Sequence, residues 1–335
     1  MTLNVLSVVP HRRFKEAEIS FPAELRFSFK DVVAQDEVIA ACRGIDYLFV
    51  PPSFPPITAG VLENIPSVRM IQSAGAGYDN VDTEKAAYLN IPVANSPGVN
   101  TTTVAEYTVA MIIALQRHML TADREIKAGN YKSIREKLFT GGLKEICDLR
   151  LGLLGFGAIG RKIAQVVGLL GARVSYYDVL RPDPIIEEQL KVTYKDFDEL
   201  LRTSDSVSVH TPLTQQTLNL IGARELRLMA PGTILINTAR GEIVDAVALA
   251  DALESGHLGG AAIDTIYPEP PPSDHPLLNL SKAAKDRLLV TPHIAGTTKS
   301  AFQRMLNQAI ANISRVAAGD PPKHVVNGVL ETRAP

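Results

Sequence analysis

Three polar side chains, Arg240, Glu269 and His293, each come shortly after an apolar run that predicts a buried strand. The planar guanidinium of an arginine binds a carboxylate through two parallel hydrogen bonds, which a lysine cannot reproduce. A histidine exchanges its proton near neutral pH, and a neighbouring carboxylate favours its charged form and fixes its orientation. A carbonyl that accepts a hydride needs one group to hold and polarise the substrate and another to protonate its oxygen. The three residues therefore predict acid–base chemistry at the carbonyl of a substrate that carries a carboxylate.

Each of these residues also has an ordinary structural interpretation when it is taken alone. Arg240 could form a structural ion pair, Glu269 could be a solvated carboxylate in the proline-rich segment YPEPPP, and His293 could be a turn residue. Their shared position favours function, because ligands of open α/β sheets bind beyond the carboxyl ends of the strands. Other polar residues that follow apolar runs on the same predicted rim are His210, Thr211, Asn237, Thr238, Asp264 and Thr291.

A glycine-rich turn near the middle of the chain predicts the site of a dinucleotide. Gly155, Gly157 and Gly160 form the pattern GxGxxG between an apolar run at 151–154 and a helix expected from about Ala158. In this pattern the first glycine makes a tight turn and the second lets a pyrophosphate approach the backbone at the helix N-terminus. The third lets helix and strand pack closely.

Asp178 makes the glycine pattern more specific. It ends the next apolar run, 174–177, and stands 23 residues after Gly155, close to the spacing of an acid that binds the ribose hydroxyls. Because its charge would repel a 2′-phosphate, the sequence predicts NAD rather than NADP as the cofactor. Arg181 stands nearby and keeps NADP open as the less favoured alternative.

Length and composition limit the classes of protein that fit. The 335 residues are enough for two domains, and a formal charge of -2 gives no electrostatic footprint for nucleic acid or an anionic membrane. Cys42 and Cys147 stand far apart without metal-ligand spacing, so no disulfide or metal site is expected and a cytoplasmic location fits. The N-terminal run MTLNVLSVVP predicts a strand rather than a signal peptide, and the apolar stretch 104–115 is too short to cross a bilayer.

The order of the apolar runs predicts an α/β fold with two parallel sheets. The runs lie at 3–9, 47–50, 68–71, 92–94, 151–154, 174–177, 206–209, 233–236, 260–263 and 288–290. The last six, with helices between them, are typical of a Rossmann, doubly wound NAD-binding domain. We expect this domain, residues 103–298, to be inserted into a smaller flavodoxin-like α/β substrate domain made of 1–102 and 299–335.

Two predicted helices complete this organisation. Near the C-terminus, apolar residues recur at helical spacing before Gly319, so this helix is expected to return to the first domain. Its apolar residues are Phe302, Met305, Leu306, Ala309, Ile310, Ile313 and Val316. The other helix is predicted to start at the capping-box pattern of Thr103 and Glu106 and is apolar on nearly every side through Leu115. Such a helix is expected in the core or at a subunit interface, which favours a homodimer that pairs through the Rossmann domains.

Taken together, these residues resemble the D-isomer-specific 2-hydroxyacid dehydrogenase family over nearly the whole chain. The similar motifs are VAE at 104–106, GFGAIG at 155–160, VHTPLT at 209–214, INTARGEIVD at 236–245, the segment 264–270 and TPHIAG at 291–296. The sequence departs from the family pattern at Asp148–Leu149, where Gly-Lys is usual, and at Thr265–Ile266, where Val-Phe is usual. Neither departure touches the expected chemistry.

The resemblance implies a role for each candidate residue. Arg240, Glu269 and His293 would be catalytic, with His293 as the proton donor to the carbonyl, and His210 would be a structural residue on the cofactor side. The substrate would be bound by Gly75, Ala76 and Gly77, opposite Arg240, and by His293. Implied cofactor contacts are Gly155, Gly157, Ala158, Ile159, Gly160, Asp178, Thr211, Thr238, Ala239, Arg240, Asp264, His293, Ile294, Ala295 and Gly296.

The first domain carries the features that bear on substrate choice. Gly75, Ala76 and Gly77 could present successive amide groups to an anion, although a flexible turn is the alternative. The loop 50–58 contains no Lys or Arg, which disfavours a phosphorylated substrate, and Phe54 with its neighbouring prolines favours a small or apolar substituent on the 2-oxo acid.

Two other functions remain open at this point. An NAD(H)-sensing, corepressor-type binding protein resembles the same family, but the chain shows no extra interaction segments. A formate dehydrogenase-like enzyme would be expected to have glutamine in place of Glu269.

Overall fold

The computed structural model describes residues 2–52 and 54–333. Ser53 of the predicted substrate loop, and Met1, Ala334 and Pro335 of the predicted first domain, lie outside the described residues. The described chain forms two compact units. The first holds the chain through Asn100 and the chain from Thr297 onward, and the second holds Thr101–Gly296, so each boundary lies two residues before the expected one.

The first unit is built on a parallel sheet. Its strands within the described residues are β1 Leu3–Ser7, β2 Leu25–Phe29, β3 Tyr47–Val50, β4 Met70–Ser73 and β5 Val93–Ala94. They pair in the order β2-β1-β3-β4-β5, which is the flavodoxin-like order. The helices of this unit are α1 His11–Glu16, α2 Gln35–Ala41, α3 Ala59–Glu63, α4 Thr83–Tyr88 and the C-terminal helix Lys299–Ala317.

The two faces of this sheet bury alternate strand residues, as the pleat requires. Leu48 and Ile71 pack in a cluster with apolar residues of α2, α3 and α4. Phe49 and Met70, each one residue away along the strand, pack with Phe14 of α1 and with the C-terminal helix. The predicted apolar stripe of that helix is buried from Met305 to Val316, and Gly319 has φ of 92° just after the helix ends.

The second unit is built on a second parallel sheet. Its strands are β6 Arg150–Leu154, β7 Arg173–Tyr177, β8 Val192–Tyr194, β9 Ser206–Val209, β10 Ile234–Asn237, β11 Gly260–Ile263 and β12 Leu288–Val290. They pair in the order β12-β11-β10-β9-β6-β7-β8, so the direction of winding reverses beside β6. The doubly wound Rossmann topology is therefore confirmed, and ligands of such sheets bind at that reversal.

The first three helices of the second unit precede β6, and the others lie between successive strands. They are α5 Thr101–Gln116, α6 Met119–Lys127, α7 Tyr131–Thr140, α8 Ala158–Leu169, α9 Pro184–Leu190, α10 Phe197–Thr203, α11 Ala223–Leu228, α12 Ala246–Glu254 and α13 Lys282–Lys285. Short 3₁₀ helices are Ile146–Asp148, Gly241–Ile243 and Pro276–Leu278.

Two sequence expectations need correction here. The capping-box start at Thr103 is wrong, because α5 begins at Thr101 and Thr103 is a buried residue of its first turn. Because α5 starts at Thr101, the position before the helix is held by Asn100, a residue type that is also favoured there. The expected strands also omitted β2 and β8: β2 is an edge strand in which only Leu25 is buried, and β8 has only three residues.

The expected burial of α5 on more than one face is confirmed. Its buried residues include Val104, Ala105, Thr108 and Met111, and the helix packs against α8, β10 and β11. Among the described residues, no helix combines the length and apolar character that a membrane crossing requires.

Candidate active site

Arg240, Glu269 and His293 follow three adjacent strands of the second unit. Asn237, Ile263 and Val290 are paired in register at the ends of β10, β11 and β12. Because parallel strands end on the same side of a sheet, the segments that follow these residues leave from one edge. The sequence expectation of a common rim therefore rests on an observed register.

His293 and Glu269 are hydrogen-bonded. Nδ1 of His293 lies 2.9 Å from Oε2 of Glu269, and the two side chains keep 34% and 49% of their surface exposed. Both groups are therefore within reach of a ligand. With Nδ1 facing a carboxylate, Nε2 is the ring nitrogen left for a substrate oxygen.

Asp264 holds the turn that carries His293. It is almost fully buried, and its Oδ1 accepts hydrogen bonds from Thr291 Oγ1 at 2.5 Å and Ile294 N at 3.0 Å. Its Oδ2 accepts one from Ala295 N at 2.8 Å, and its backbone carbonyl accepts one from His293 N at 2.7 Å. His293 itself has φ of 54°, a left-handed conformation that costs energy outside glycine and asparagine. The bonds to Asp264 hold the backbone in this conformation.

Asn237 holds the backbone of the turn that carries Arg240; its position in the sequence predicts a place on the rim but no role in the site. The Asn237 side chain is fully buried, donates to Arg240 O at 2.8 Å and accepts from Ala239 N at 3.0 Å. The sequence contains a signal for this role, because an asparagine that ends an apolar strand needs hydrogen-bond partners for its buried amide. A Cβ on Gly241 would lie 2.7 Å from Tyr267 N, so the backbone after Arg240 passes close to the segment that leads to Glu269.

The three glycines of the fingerprint have different surroundings. Gly155 has φ of 95°, and a Cβ there would lie 2.6 Å from His210 O, while a Cβ on Gly160 would lie 2.4 Å from Gly155 O. A Cβ on Gly157 would meet no atom of the described residues within 4 Å, and Gly157 and Ala158 are exposed at the start of α8. The open space at a helix N-terminus fits a pyrophosphate, whereas the other two glycines are required by the chain itself.

Asp178 and Arg181 follow β7. Asp178 accepts hydrogen bonds from Phe156 N at 2.6 Å and Leu180 N at 3.0 Å, so it braces the glycine turn against the end of β7. Arg181 donates to both carboxylate oxygens of Glu187, at 2.8 and 2.9 Å, and lies over the ring of Tyr194. The bonds from Arg181 and the Tyr176 hydroxyl lower the pKa of Glu187 to about 2. Arg181 is thus engaged within the protein, which weakens the case for NADP.

Three further residues of the rim differ in whether their polar atoms have hydrogen-bond partners. Thr211 Oγ1 is buried without a hydrogen-bond partner in the described part of the chain, and therefore has a polar atom to offer a ligand. Thr238 Oγ1 lies 3.1 Å from Thr108 Oγ1 of α5. His210 bonds to Ser208 Oγ, and burial lowers its pKa to about 3, so it is neutral near pH 7 and unsuited to donate a proton.

Gly75, Ala76 and Gly77 belong to the first unit and follow β4. Their carbonyl oxygens accept hydrogen bonds from the chain, while their amide groups donate to nothing in the described residues. The described part of loop 50–58 contains Phe54 with 48% of its surface exposed.

The chain belongs to the D-isomer specific 2-hydroxyacid dehydrogenase family. The family model of the NAD binding domain matches residues 109–295, which is more than half of the chain. The protein is therefore an NAD-dependent oxidoreductase that acts on the CH–OH group of its substrates. The open cradle at Gly157 and the unsatisfied Thr211 hydroxyl fit that cofactor.

The chain is also similar to individual members of this family. The chain is 36% identical to a glyoxylate reductase of Korarchaeum cryptofilum over 281 residues, which cover 84% of this chain and 82% of the relative. It is 32% identical to a glycerate dehydrogenase of Methylorubrum extorquens, covering 91% and 92%. Among solved structures, D-lactate dehydrogenase of Aquifex aeolicus complexed with NAD and lactic acid matches with a TM-score of 0.80 at 27% identity, covering 95% and 96%.

Proposed function

We propose that this protein reduces a small, non-phosphorylated 2-oxo acid to the D-2-hydroxy acid, and catalyses the reverse oxidation, with His293 as proton donor and acceptor. The hydrogen bond between His293 and Glu269, on the rim that also carries Arg240, is the observation that carries this proposal. Bound NADH supplies the hydride from C4 of its nicotinamide, and C2 of the 2-oxo acid accepts it. The carbonyl oxygen then takes the proton that His293 gives up, so the products are the hydroxy acid and NAD.

Each residue of the trio has a separate task in this proposal. Glu269 accepts a hydrogen bond from Nδ1 of His293 and so holds the ring with Nε2 left for the substrate oxygen. Arg240 binds the substrate carboxylate and polarises the carbonyl. In the oxidation direction the neutral imidazole of His293 takes the hydroxyl proton while hydride leaves C2.

The remaining site residues are proposed with the same roles that the family resemblance implies. Gly75, Ala76 and Gly77 of the first unit bind substrate, as do Arg240 and His293 of the second, which makes the first unit the substrate domain. Proposed cofactor contacts are Gly155, Gly157, Ala158, Ile159, Gly160, Asp178, Thr211, Thr238, Ala239, Arg240, Asp264, His293, Ala295 and Gly296. The three hydrogen bonds that the Asp264 carboxylate accepts from its own chain give this residue a structural task as well.

Glyoxylate and hydroxypyruvate are the substrates we test first. Similar proteins are named for glyoxylate and for glycerate, and both acids are small and carry no phosphate. The absence of Lys and Arg from loop 50–58 supports the same class. A phosphorylated 2-oxo acid would need cations that this loop does not supply.

We also propose a homodimer through the NAD-binding domains, formed by a different surface from the expected helix α5. Helix α5 buries most of its apolar residues within its own unit, so it supports the dimer less than expected. The helices α6 and α7 instead expose Leu120, Ile126, Tyr131 and Phe139. Exposed apolar groups on two successive helices suit a self-association surface. Light scattering that gives a mass near one chain, 36.2 kDa, would contradict the dimer.

The proposed activity is tested by NADH oxidation with a panel of 2-oxo acids: glyoxylate, hydroxypyruvate, pyruvate, and branched and aromatic members. We expect turnover with small members, and loss of at least about 100-fold in kcat/KM for Arg240→Ala, because one charged hydrogen-bond donor to a reacting group is worth that much. If the intact protein binds NADH but reduces no 2-oxo acid, the enzyme proposal fails in favour of the sensing protein. Reduction of NAD by formate, without turnover of any 2-oxo acid, would favour a formate dehydrogenase-like enzyme.

A further inference from the structure

Three successive carbonyl groups in the turn after β4 are held by three different donors. Gly75 O accepts from Ser96 N at 2.8 Å, Ala76 O from Asn95 Nδ2 at 2.7 Å, and Gly77 O from Ser73 Oγ at 2.6 Å. Ser73 ends β4 and Asn95 follows β5, which is the neighbouring strand. All three donors therefore approach the turn from the end of the sheet.

The donors form one rigid group. Ser73 and Ser96 are fully buried, and Ser96 Oγ donates to Ser73 O at 3.4 Å. The backbone of Asn95 is fixed in turn, since its N–H donates to His324 O at 3.1 Å and Ala94 pairs with Val325 in an antiparallel bridge. The Asn95 side chain thus starts from a backbone that the C-terminal segment of the same unit holds.

The orientation of the amide groups follows from these bonds. In a trans peptide the C=O of one residue and the N–H of the next point in opposite directions. Drawing the oxygens of Gly75, Ala76 and Gly77 toward the sheet therefore turns the N–H groups of Ala76, Gly77 and Tyr78 away from it. In the described part of the chain these three amides donate to no protein group. Successive outward amides are a binding site for an anion.

We propose that Asn95 and Ser73 are positioning residues for the substrate carboxylate: by holding the carbonyls of Ala76 and Gly77, they aim the amides of Gly77 and Tyr78 at it. This inference rests on the proposed function, in which this turn binds the carboxylate. It adds two residues outside the turn and shifts the amides that bind from 75–77 to 76–78. A preoriented donor set does not have to reorganise when the anion arrives, which strengthens binding.

A purely structural role predicts a different result from a positioning role. If the two side chains only satisfy buried carbonyls, removing them lowers the melting temperature and leaves the substrate KM unchanged in the folded protein. If they aim the amides, the KM for the 2-oxo acid and the inhibition constant of oxamate, a 2-oxo acid isostere, rise together. The KM for NADH and kcat stay near the wild-type values, because hydride transfer uses groups of the other unit.

The experiment compares Asn95→Leu and Ser73→Ala with a matched control, Asn64→Leu. Asn64 belongs to the same unit and also donates from its side chain to a backbone carbonyl, Gly60 O at 2.9 Å, on an exposed surface. We expect about a tenfold rise in the substrate KM and the oxamate inhibition constant for Asn95→Leu, and a rise of about fivefold for Ser73→Ala, from the loss of one hydrogen bond each. Asn64→Leu should change neither constant.

The positioning role is wrong if the substrate KM and the oxamate inhibition constant are unchanged in both Asn95→Leu and Ser73→Ala while the wild type is active. The proposed function would survive that result. Should Asn95→Leu not fold, Ser73→Ala decides, because it removes a single oxygen atom. A wild-type protein that neither reduces 2-oxo acids nor binds oxamate would overturn the proposed function, and this inference with it.

Discussion

Nδ1 of His293 lies 2.9 Å from Oε2 of Glu269 although 24 positions separate the two residues in the chain. The contact exists because β11 and β12 are neighbours in the sheet and Asp264, just after β11, binds the turn after β12 at three points. The sheet brings the two segments to one edge, and a buried carboxylate fixes the turn that carries the histidine.

Glu269→Gln should lower kcat/KM for the 2-oxo acid. Glutamine keeps a hydrogen-bonding side chain but loses the charged acceptor that lies 2.9 Å from Nδ1 of His293, so the ring is held less firmly. We expect a loss of about tenfold, the worth of one hydrogen bond to a charged group. Steady-state kinetics measure this loss, and a variant with the wild-type kcat/KM would show that Glu269 does not act on His293.

Asp178→Ser should relax the cofactor preference. With the wild type we expect kcat/KM for NADH to exceed that for NADPH by at least about tenfold, since the Asp178 carboxylate would face a 2′-phosphate. Removing the charge should raise the NADPH value and lower the NADH value. A second variant tests Arg181, which follows Asp178 in the chain and pairs with Glu187. Glu187→Gln should release Arg181 and raise NADPH use further. Equal wild-type values for both cofactors would refute the role of Asp178.

Gly157→Ala should weaken NADH binding, whereas Gly160→Ala should lower the stability of the fold. Gly157 has a negative φ of −72°, and its Cβ would meet no described atom within 4 Å, so the fold should stay intact while NADH binds about tenfold more weakly. The Cβ of Gly160→Ala would lie 2.4 Å from Gly155 O. Alanine gains up to about 1 kcal/mol of helix propensity there, but overpacking against backbone costs about 1–3 kcal/mol, so the variant should be less stable.

Thermal unfolding and NADH titration of both variants measure these effects. An unstable Gly157→Ala protein, or a Gly160→Ala protein as stable as the wild type, would contradict the roles given to the two glycines.

The principal features of the fold could be predicted from the sequence, because hydrophobic runs and glycines report on their immediate surroundings. The fingerprint glycines, Asp178 and the strand ends that carry Arg240 and His293 fall in this class. Strand β2 could not, since its exposed edge leaves Arg26 and Ser28 among its apolar residues. The bonds from Asn237 to Arg240, and from Asn95 to Ala76, depend on a three-dimensional path that no local pattern encodes.

His210→Gln should make the free energy of unfolding depend less on pH in the acid range. Burial holds the pKa of His210 at about 3 in the folded chain, against 6.5 as its ordinary value. Between these values the unfolded chain binds the proton and the folded chain does not, so the free energy of unfolding falls as the pH drops below about 6.5. Between pH 7 and pH 5.5 the wild type should lose about 1 kcal/mol more than the variant. Parallel urea titrations across this range measure it, and identical pH slopes would contradict a neutral His210 in the folded chain.

The most direct test of the central claim is a single-turnover measurement of NADH oxidation by glyoxylate in the wild type and in His293→Asn. Asparagine keeps a polar side chain of similar reach but cannot deliver a proton. The account predicts that, with both proteins saturated with NADH, hydride transfer in the variant is slower by about 100-fold or more, the usual worth of a general acid. A variant that oxidises bound NADH at the wild-type rate would contradict the assignment of His293 as the proton donor.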